Sequence, residues 1–445
     1  MRYGDNARRG KTLSRGFILV FLCALFVRTA FFCFYLWYDP AFFSRSTDCA
    51  NYINGAKNLI NYGVLCEQAV YPPFPGTFRT PGYPLLVAGI YWMSEFSNAA
   101  VIAVQIILGA LTCALMYRIA LKYASGPSAL AAAGILALDI VSASMANEIL
   151  TETFFTLVLT LGVTAFVNFM ETRRMSSLVL SSLLTAAAVM TRPILLYFPL
   201  CSVVVFLYCF RKNIKKAFLY YAVFNLAFLL VVSPWVIRNV RLGYNGFASV
   251  QEMNIYIYKA GWIEERLKGN ADYNTIDFSG RFRKVAELLK ERGMENTQNN
   301  RVKLYKELGA KTLKEHPLLL AEYQLIYSFQ VFTSPGAEPI LGHIQKVRGK
   351  EMPEVVKRAV ITGYGFILIL LYIAFTAGIF QKSVWSRERG LLFILLLFCY
   401  MAALSGEWGA ESRFRVPMMP FIAVMAAVGL DYFTQAVKKI HKNVP

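Results

Sequence analysis

The sequence predicts an all-α polytopic membrane protein, and three observations predict it. Of its 445 residues 56% are apolar and only 16% are charged. Its mean hydropathy is +0.45, and apolar runs of membrane-spanning length recur along the chain. A soluble chain carries about a quarter charged residues, so the composition excludes that class. The formal charge of +19, from 46 Lys+Arg against 27 Asp+Glu, would suit a nucleic-acid binder. Such proteins place their cations on polar domains, whereas here the cations lie between apolar runs.

A helix needs about 20 apolar residues to cross a hydrocarbon core of about 30 Å. By that measure ten spans are expected, at residues 16–38, 98–121, 127–146, 149–170, 176–192, 194–210, 217–237, 359–380, 389–405 and 416–436. The first is too long for a signal peptide and lacks a small-residue cleavage site, so it is expected to be retained. Lys and Arg in short loops mark the cytoplasmic side. Arg2, Arg8, Arg9, Lys11 and Arg15 place the N-terminus there. Alternation then puts Arg118/Lys122, Arg173/Arg174, Arg211/Lys212/Lys215/Lys216, Lys382/Arg387/Arg389 and Lys438/Lys439/Lys442 on the same side. The expected organisation is a cytoplasmic N-terminus (1–15), an N-terminal transmembrane module (16–237) with a first outer loop (39–97), a long extracytoplasmic loop (238–358), and C-terminal transmembrane helices with a cytoplasmic tail (359–445).

The long loop carries 20 Lys+Arg and 14 Asp+Glu. Its middle, Asn270 to Lys314, reads as polar helices. From His316 to Phe332 the sequence is amphipathic and aromatic, with Glu322, Tyr323 and Gln324 interrupting an apolar face, which predicts a helix at the membrane interface. As a span it would invert everything after it. Six cysteines fall in or at apolar spans, where Cys acts as a small hydrophobe. Cys49 and Cys66 share the first outer loop, and a disulfide between them is left open.

Cytoplasmic loops account for 19 of the 46 cations and the long loop for 20, leaving Arg28, Arg45, Lys57, Arg79, Arg192, Arg413 and Arg415. These seven lie on the outer side or within helices, where an ionisable group is costly enough to point to function. Asp39, Asp48, Glu67, Asp139, Glu148, Glu152, Glu407 and Glu411 gather at the same level. Snorkelling arginines paired with carboxylates would explain any one of them; the set predicts that several helix ends converge on a polar cavity.

Ser46-Thr47-Asp48 reads as a helix start, with Asp48, Tyr52 and Ala56 on one face of a short helix ending near Tyr62-Gly63. A carboxylate there is held in its charged form by the helix dipole and can take a proton from a bound hydroxyl, or it can simply cap the helix. Tyr71-Pro72-Pro73-Phe74-Pro75-Gly76 and Arg79-Thr80-Pro81-Gly82-Tyr83-Pro84 form a stiff connector. It presents Arg79, a planar cation suited to phosphate oxygens. Thr191-Arg192-Pro193 breaks apolar sequence at the outer face, and Pro234-Trp235-Val236-Ile237-Arg238-Asn239 ends a span. Arg413-Phe414-Arg415-Val416-Pro417 opens the last span, and the phosphate of a membrane lipid is the natural anion for its two arginines.

The order Asp48…Tyr52…Ala56, Gly63, Arg79-Thr80-Pro81-Gly82-Tyr83-Pro84, Glu152, Thr191-Arg192-Pro193, Pro234-Trp235…Arg238-Asn239 and Arg413-Phe414-Arg415-Val416-Pro417 resembles the polytopic GT-C glycosyltransferases. The nearest branch is the bacterial one related to 4-amino-4-deoxy-arabinose lipid A transferase and protein O-mannosyltransferases. The resemblance runs nearly the whole length, with little of it in 245–358. It implies a bundle of about 10–13 transmembrane helices with extracytoplasmic loop helices, in a bacterial plasma or inner membrane. It also implies inverting transfer of a sugar from a polyprenyl-phosphate donor to an acceptor hydroxyl of a lipid, glycan or protein, with no nucleic-acid partner. Asp48 carries over as the acidic residue that activates or positions the acceptor. Arg413 and Arg415 carry over as donor-phosphate ligands, with Arg79 and Arg192 placed to help and Tyr52, Tyr83, Glu152 and Arg238 in support.

Where relatives have Asp-Glu or Asp-x-Asp, Asp48 is followed by Cys49 and Ala50, so a paired-acid metal site is not indicated. His316, His343 and His441 are dispersed. A divalent metal ion held by Asp48 with Glu152 or His343 stays unassigned. A transporter or flippase of lipid-linked or polar substrates is the alternative, since it too needs intramembrane charges. It would more often show internal repeats and polar groups at the membrane midplane.

Overall fold

The computed structural model describes residues 2–38, 47–270, 275–337, 351–381, 389–407 and 411–443, with a few isolated residues between them. Among the described residues every regular element is helical. The N-terminal part comprises α1 (Arg2–Tyr38), α2 (Thr47–Tyr62), α3 (Gly82–Ser94), α4 (Asn98–Ala120), α5 (Gly126–Ala137), α6 (Ile140–Met145), α7 (Glu152–Thr172), α8 (Met175–Thr191) and α9 (Ile214–Arg241). The long loop folds into α10 (Phe278–Glu291), α11 (Gln298–Glu315) and α12 (Pro317–Thr333), preceded by a continuous helical stretch from Val250 to Leu267. Then come α13 (Glu354–Ile379), α14 (Arg389–Leu404) and α15 (Met419–Asn443).

Six helical segments are long and apolar enough to cross a membrane: Arg15–Trp37, Asn98–Ala120, Glu152–Thr172, Ile214–Arg241, Glu354–Ile379 and Ser412–Lys438. The protein is a multi-pass membrane protein. The other four expected spans are shorter apolar segments, Gly126–Ala137, Met175–Thr191, Pro193–Cys209 and Gly390–Leu404. Two expectations need correction. Residues 127–146 are not one helix: the chain breaks at Asp139, which caps α6 by accepting the Ser142 N–H at 2.8 Å and also accepts the Tyr364 hydroxyl. A capping carboxylate competes with helix continuation, which explains the break. Residues 194–210 form three short pieces, Pro193–Leu195, Phe198–Cys201 and Val203–Cys209. Pro199, inside the expected span, withholds a backbone N–H, so a continuous ladder cannot form.

The main core runs from α1, α4 and α5 through α7 and α8 to α9, α13, α14 and α15. Phe166 of α7 stacks on Phe393 of α14 at 3.8 Å between ring centres, and Phe198 meets the same ring edge-on. Helices α13 and α15 pack closely because Gly378 and Gly429 face each other; a Cβ on either would run into the opposite backbone. Small residues at such crossings let backbones approach where no hydrophobic effect drives helices together. Arg28 is buried in the bundle and donates to the carbonyls of Ala24 and Ala137, both at 3.2 Å.

The polar middle of the long loop forms α10 and α11 as expected. Helix α12 turns Tyr323 and Tyr327 onto Trp262, and its Glu322 pairs with Arg266 at 3.0 Å. Leu318, Leu325 and Phe329 on its other side are exposed. Cys49 and Cys66 are buried and not joined.

Candidate active site

Helix α2 begins at Thr47 and ends at Tyr62, where Gly63 takes a φ of 67° and its N–H closes on Leu59 O at 3.0 Å. Only glycine adopts that left-handed cap at little steric cost. Tyr52 and Ala56 are buried on the face that packs against α3, which fixes Asp48 at the free N-terminal end. The stiff connector that follows is pinned at three points. Thr80 Oγ1 donates to Thr191 O at 3.1 Å, Ser249 N to Thr77 O at 2.8 Å, and Arg238 Nη1 to Gly76 O at 2.9 Å. At Gly82 a Cβ would stand 2.6 Å from Met190 O, so glycine is what lets the connector lie against the end of α8.

These constraints deliver Arg79 to Asp48. Its guanidinium lies 5.2 Å from the centre of the Tyr52 ring and 5.1 Å from that of Phe78, and its Nη2 donates to Asp48 Oδ1. The other carboxylate oxygen accepts from Arg413 Nη1 at 3.2 Å. Arg413 Nε donates to Glu152 Oε1, which also receives Arg192 Nη1 at 2.5 Å. Arg192 lies over the ring of Phe414 at 5.0 Å and donates to Thr151 Oγ1 at 3.2 Å. Five charged groups therefore form one chain: Arg79, Asp48, Arg413, Glu152, Arg192. Its formal charge is +1, three guanidiniums against two carboxylates, so it can accept an anion.

Glu152 starts α7, Arg192 directly follows α8, and Arg413 precedes α15. Because α7 and α8 are a hairpin, these positions fall at one end of the bundle. Glu152 has no exposed side-chain surface, whereas Asp48 is 30% and Arg413 27% exposed. The buried carboxylate thus orients two arginines, and Asp48 is the accessible one of the pair. Burial by itself pushes the Asp48 carboxyl up, but Arg79 and Arg413 together hold it below the usual range, so it is ionised at neutral pH.

Not every expected residue joins this chain. Arg415 is 1% exposed and donates to the carbonyls of Val331, Ser334 and Pro335 at 3.1, 2.7 and 3.1 Å. It ties off the C-terminus of α12 and points away from Asp48. Two arginines separated by one residue on a tight helical turn cannot share a face. Tyr83 is buried, donates to Gln105 Oε1 at 2.5 Å and braces Tyr52 edge-on at 5.0 Å. Gln105 in turn donates to the carbonyls of Ala146 and Glu148 at 3.2 and 2.6 Å. Arg238 lies over Trp235 at 4.4 Å and anchors the connector. Lys57 is exposed; Arg45 and Asp39 lie outside the described residues, as does His343.

Sequence reasoning placed Glu148 and Glu407 at the outer level without giving them a role. Glu148 lies within electrostatic reach of Arg413 and Glu152, and burial lifts its carboxyl to about 7. Glu407 is likewise pushed up by burial, against the pull of Lys259 and Arg192. Among the described residues no three His, Cys, Asp or Glu side chains converge as a metal-ligand set. Asp48 and Glu152 are occupied by arginines, so this arrangement does not fit a divalent ion held between them.

Residues 78–237 match the family described as dolichyl-phosphate-mannose-protein mannosyltransferase. The structure resembles that of an Archaeoglobus fulgidus oligosaccharyltransferase tethered to an acceptor peptide containing the NVT sequon. The TM-score is 0.53 with 13% identity, over 95% of this chain and 50% of that one. A second structure, the archaeal oligosaccharyltransferase AglB from Archaeoglobus fulgidus with an inhibitory peptide and a dolichol-phosphate, gives 0.49 at 12% identity, over 96% and 52%. ArnT from Cupriavidus metallidurans bound to undecaprenyl phosphate gives 0.41 at 12%, over 95% and 79%. No curated protein matches by sequence. The chain spans about half the length of the oligosaccharyltransferases it resembles. Its fold is like that of the Archaeoglobus fulgidus oligosaccharyltransferase, and the stretch matching the mannosyltransferase family contains Arg79, Glu152 and Arg192 of the charged chain.

Proposed function

We propose that the protein transfers a sugar from a polyprenyl-phosphate donor to an acceptor hydroxyl at the extracytoplasmic face of a bacterial cell membrane, with inversion. The observation that carries this reading is the accessible carboxylate of the charged chain, Asp48, set between Arg79 and Arg413 with the buried Glu152 behind them. The mannosyltransferase match, whose described donor is a lipid-phosphate sugar, supports it.

In this mechanism the donor phosphate meets Arg413, with Arg79 and Arg192 beside it. Taking up the phosphate draws Arg413 from Asp48 and lets the Asp48 carboxyl become more basic where the acceptor arrives. The acceptor O–H gives its proton to Asp48 while its oxygen attacks the anomeric carbon from the face opposite the phosphate. The bond from that carbon to the phosphate oxygen breaks, and the electron pair leaves with the polyprenyl phosphate. The arginines stabilise the charge that accumulates on it. One base and one in-line displacement give inversion. Arg415 serves the same site from behind, by holding α12 to the strand of chain that bears Arg413. The test is Asp48→Asn, which is expected to abolish transfer from undecaprenyl-phosphate sugars in liposomes while donor binding persists. Retained transfer would remove Asp48 from the mechanism.

A further inference from the structure

Arg28 of α1 places a cation inside the bundle, where it is 2% exposed. Its Nη1 donates to the carbonyls of Ala24 and Ala137, both at 3.2 Å, and its Nη2 to Cys113 Sγ at 3.6 Å. Its Nε–H makes no hydrogen bond, and among the described residues no carboxylate forms an ion pair with it. Asp139 is buried too, but its carboxylate is engaged by the Ser142 N–H and the Tyr364 hydroxyl. A buried guanidinium without a counter-charge is costly in a low-dielectric interior. The space in front of Nε indicates what offsets that cost.

That space is a cavity of about 20 Å³ where α1, α4, α6, α7 and the start of α15 meet. Gly109 keeps it open, since a Cβ there would stand 2.7 Å from Arg28 Nε. Ser142 Oγ, on α6, faces the same cavity, is buried and likewise has no hydrogen-bond partner. The threonines of the wall offer no competing donor. Thr112 and Thr156 direct their hydroxyl protons to Leu108 O at 3.0 Å and Glu152 O at 2.6 Å, and Thr153 turns its methyl toward Gly109. No acidic side chain lines the cavity among the described residues, and none of the five groups of the charged chain does. The cavity therefore joins one full positive charge to two buried donors without partners.

We propose that this cavity is a binding site for one small monovalent anion, a chloride ion, held by the Arg28 Nε–H and the Ser142 hydroxyl. The volume admits a single species of about the size of water, and sulfate, phosphate and carboxylates are too large for it. A water molecule would satisfy the two donors but leave the charge. A halide answers both, and it asks for no fixed bond directions, which suits donors delivered by separate helices. Because α1 packs against α4, α5 and α6, the anion ties the first helix to the bundle at the depth of Arg28. Its binding adds to the stability of the folded state by mass action.

The full-length protein in detergent is exchanged into sodium gluconate and titrated with sodium chloride or sodium bromide at constant ionic strength, and its apparent melting temperature is followed. Both halides are expected to raise it saturably, by about 2 °C or more. Crystals grown in bromide are expected to show a bromine anomalous peak beside Arg28 Nε. Arg28→Met should melt at one temperature in all three salts. Ser142→Ala removes a hydroxyl that has no protein partner, so it serves if Arg28→Met fails to fold, and it should weaken the apparent halide affinity threefold or more. Equal melting of wild type in gluconate and halide, a halide response that survives unchanged in either variant, or oxygen-like density without a bromine signal, a buried water only, would each overturn the proposal.

Discussion

Replacing Arg413 with Ala separates the site from its scaffold, because this side chain touches both carboxylates. Its bond to Asp48 joins groups that are 27% and 30% exposed, a setting in which an ion pair contributes about 1 kcal/mol or less. Its bond to Glu152 reaches a carboxylate with no exposed surface, and a charge-assisted hydrogen bond of that kind contributes about 1.5–3 kcal/mol. Arg192, 2.5 Å from Glu152, keeps that carboxylate paired when Arg413 is removed, so the loss should stay below the 3–5 kcal/mol expected for orphaning a buried charge. The expected destabilisation is about 2–3 kcal/mol, measured by denaturant unfolding in detergent. Loss of one arginine from the donor phosphate is worth a similar amount and raises the donor KM about 10–100-fold. The acceptor KM should hold. There is also a pH signature. Arg413 helps hold the Asp48 carboxyl below its usual range against burial, so removing it lets that carboxyl rise. The proposed mechanism needs Asp48 ionised, so the acid limb of the kcat/KM profile should move to higher pH. Arg413→Lys keeps the charge but cannot fork between two carboxylates, and should recover donor affinity only in part. If Arg413→Ala destabilises the protein but leaves the donor KM and the acid limb in place, the charged chain is scaffold and the donor is held elsewhere.

Arg415→Ala should behave oppositely: with three carbonyls left unpaired in a buried place it should cost about 3 kcal/mol of stability and leave the donor KM of the folded fraction unchanged. Glu148, lifted to about 7 by burial, is neutral below that pH and anionic above it. Its ionisation adds negative charge beside Arg413, so donor binding should weaken as pH rises through about 7, by roughly 1 kcal/mol, and Glu148→Gln should flatten the profile. A profile that keeps its step in Glu148→Gln would assign the step to another group. Gly82→Ala forces a Cβ to 2.6 Å from Met190 O; the connector must move, with a loss of about 1–3 kcal/mol and of activity through Arg79. A stable, active Gly82→Ala protein would show that the connector's position is not what sets Arg79.

Much of the site was legible because membrane chemistry makes unexplained charge informative. With the loops expected to be cytoplasmic and the long loop set aside, seven cations remain, and three of them, Arg79, Arg192 and Arg413, meet around Asp48 and Glu152. The helix start at Thr47, the end at Tyr62 and the stiffness of the connector follow from local rules that hold whatever surrounds them. The separation of Arg415 from Arg413 is not legible in the sequence, because spacing reports proximity along the chain and not direction. On the turn Glu411–Met418 it diverges from Arg413 and meets carbonyls of α12, 80 and more residues away in sequence. The breaks at Asp139 and Pro199 were hidden by apolar composition, which a broken helix and a span share.

The long loop was opaque for a different reason. Residues 255–260 have ordinary neighbours in sequence, and nothing in their spacing announces a π-helical turn; the widened turn exists because Tyr256 and Ile257 are claimed by a core that α10 and α11 complete. The segment after α14 owes its course to Gly406 passing over α12, again a tertiary condition. The residues proposed to handle phosphate and proton sit at helix ends, where caps and prolines write themselves into the sequence. The long-loop residues sit where packing between distant segments decides, and packing leaves no local mark. If the arginines hold the donor phosphate as proposed, loop contacts can change the sugar that is accepted while the charged chain stays fixed. The prediction attached to that division is concrete: chimaeras exchanging residues 250–267 with those of a relative of different sugar preference should transfer the preference and leave affinity for undecaprenyl phosphate within about twofold, and chimaeras that change both together would show that phosphate and sugar are read by one set of residues.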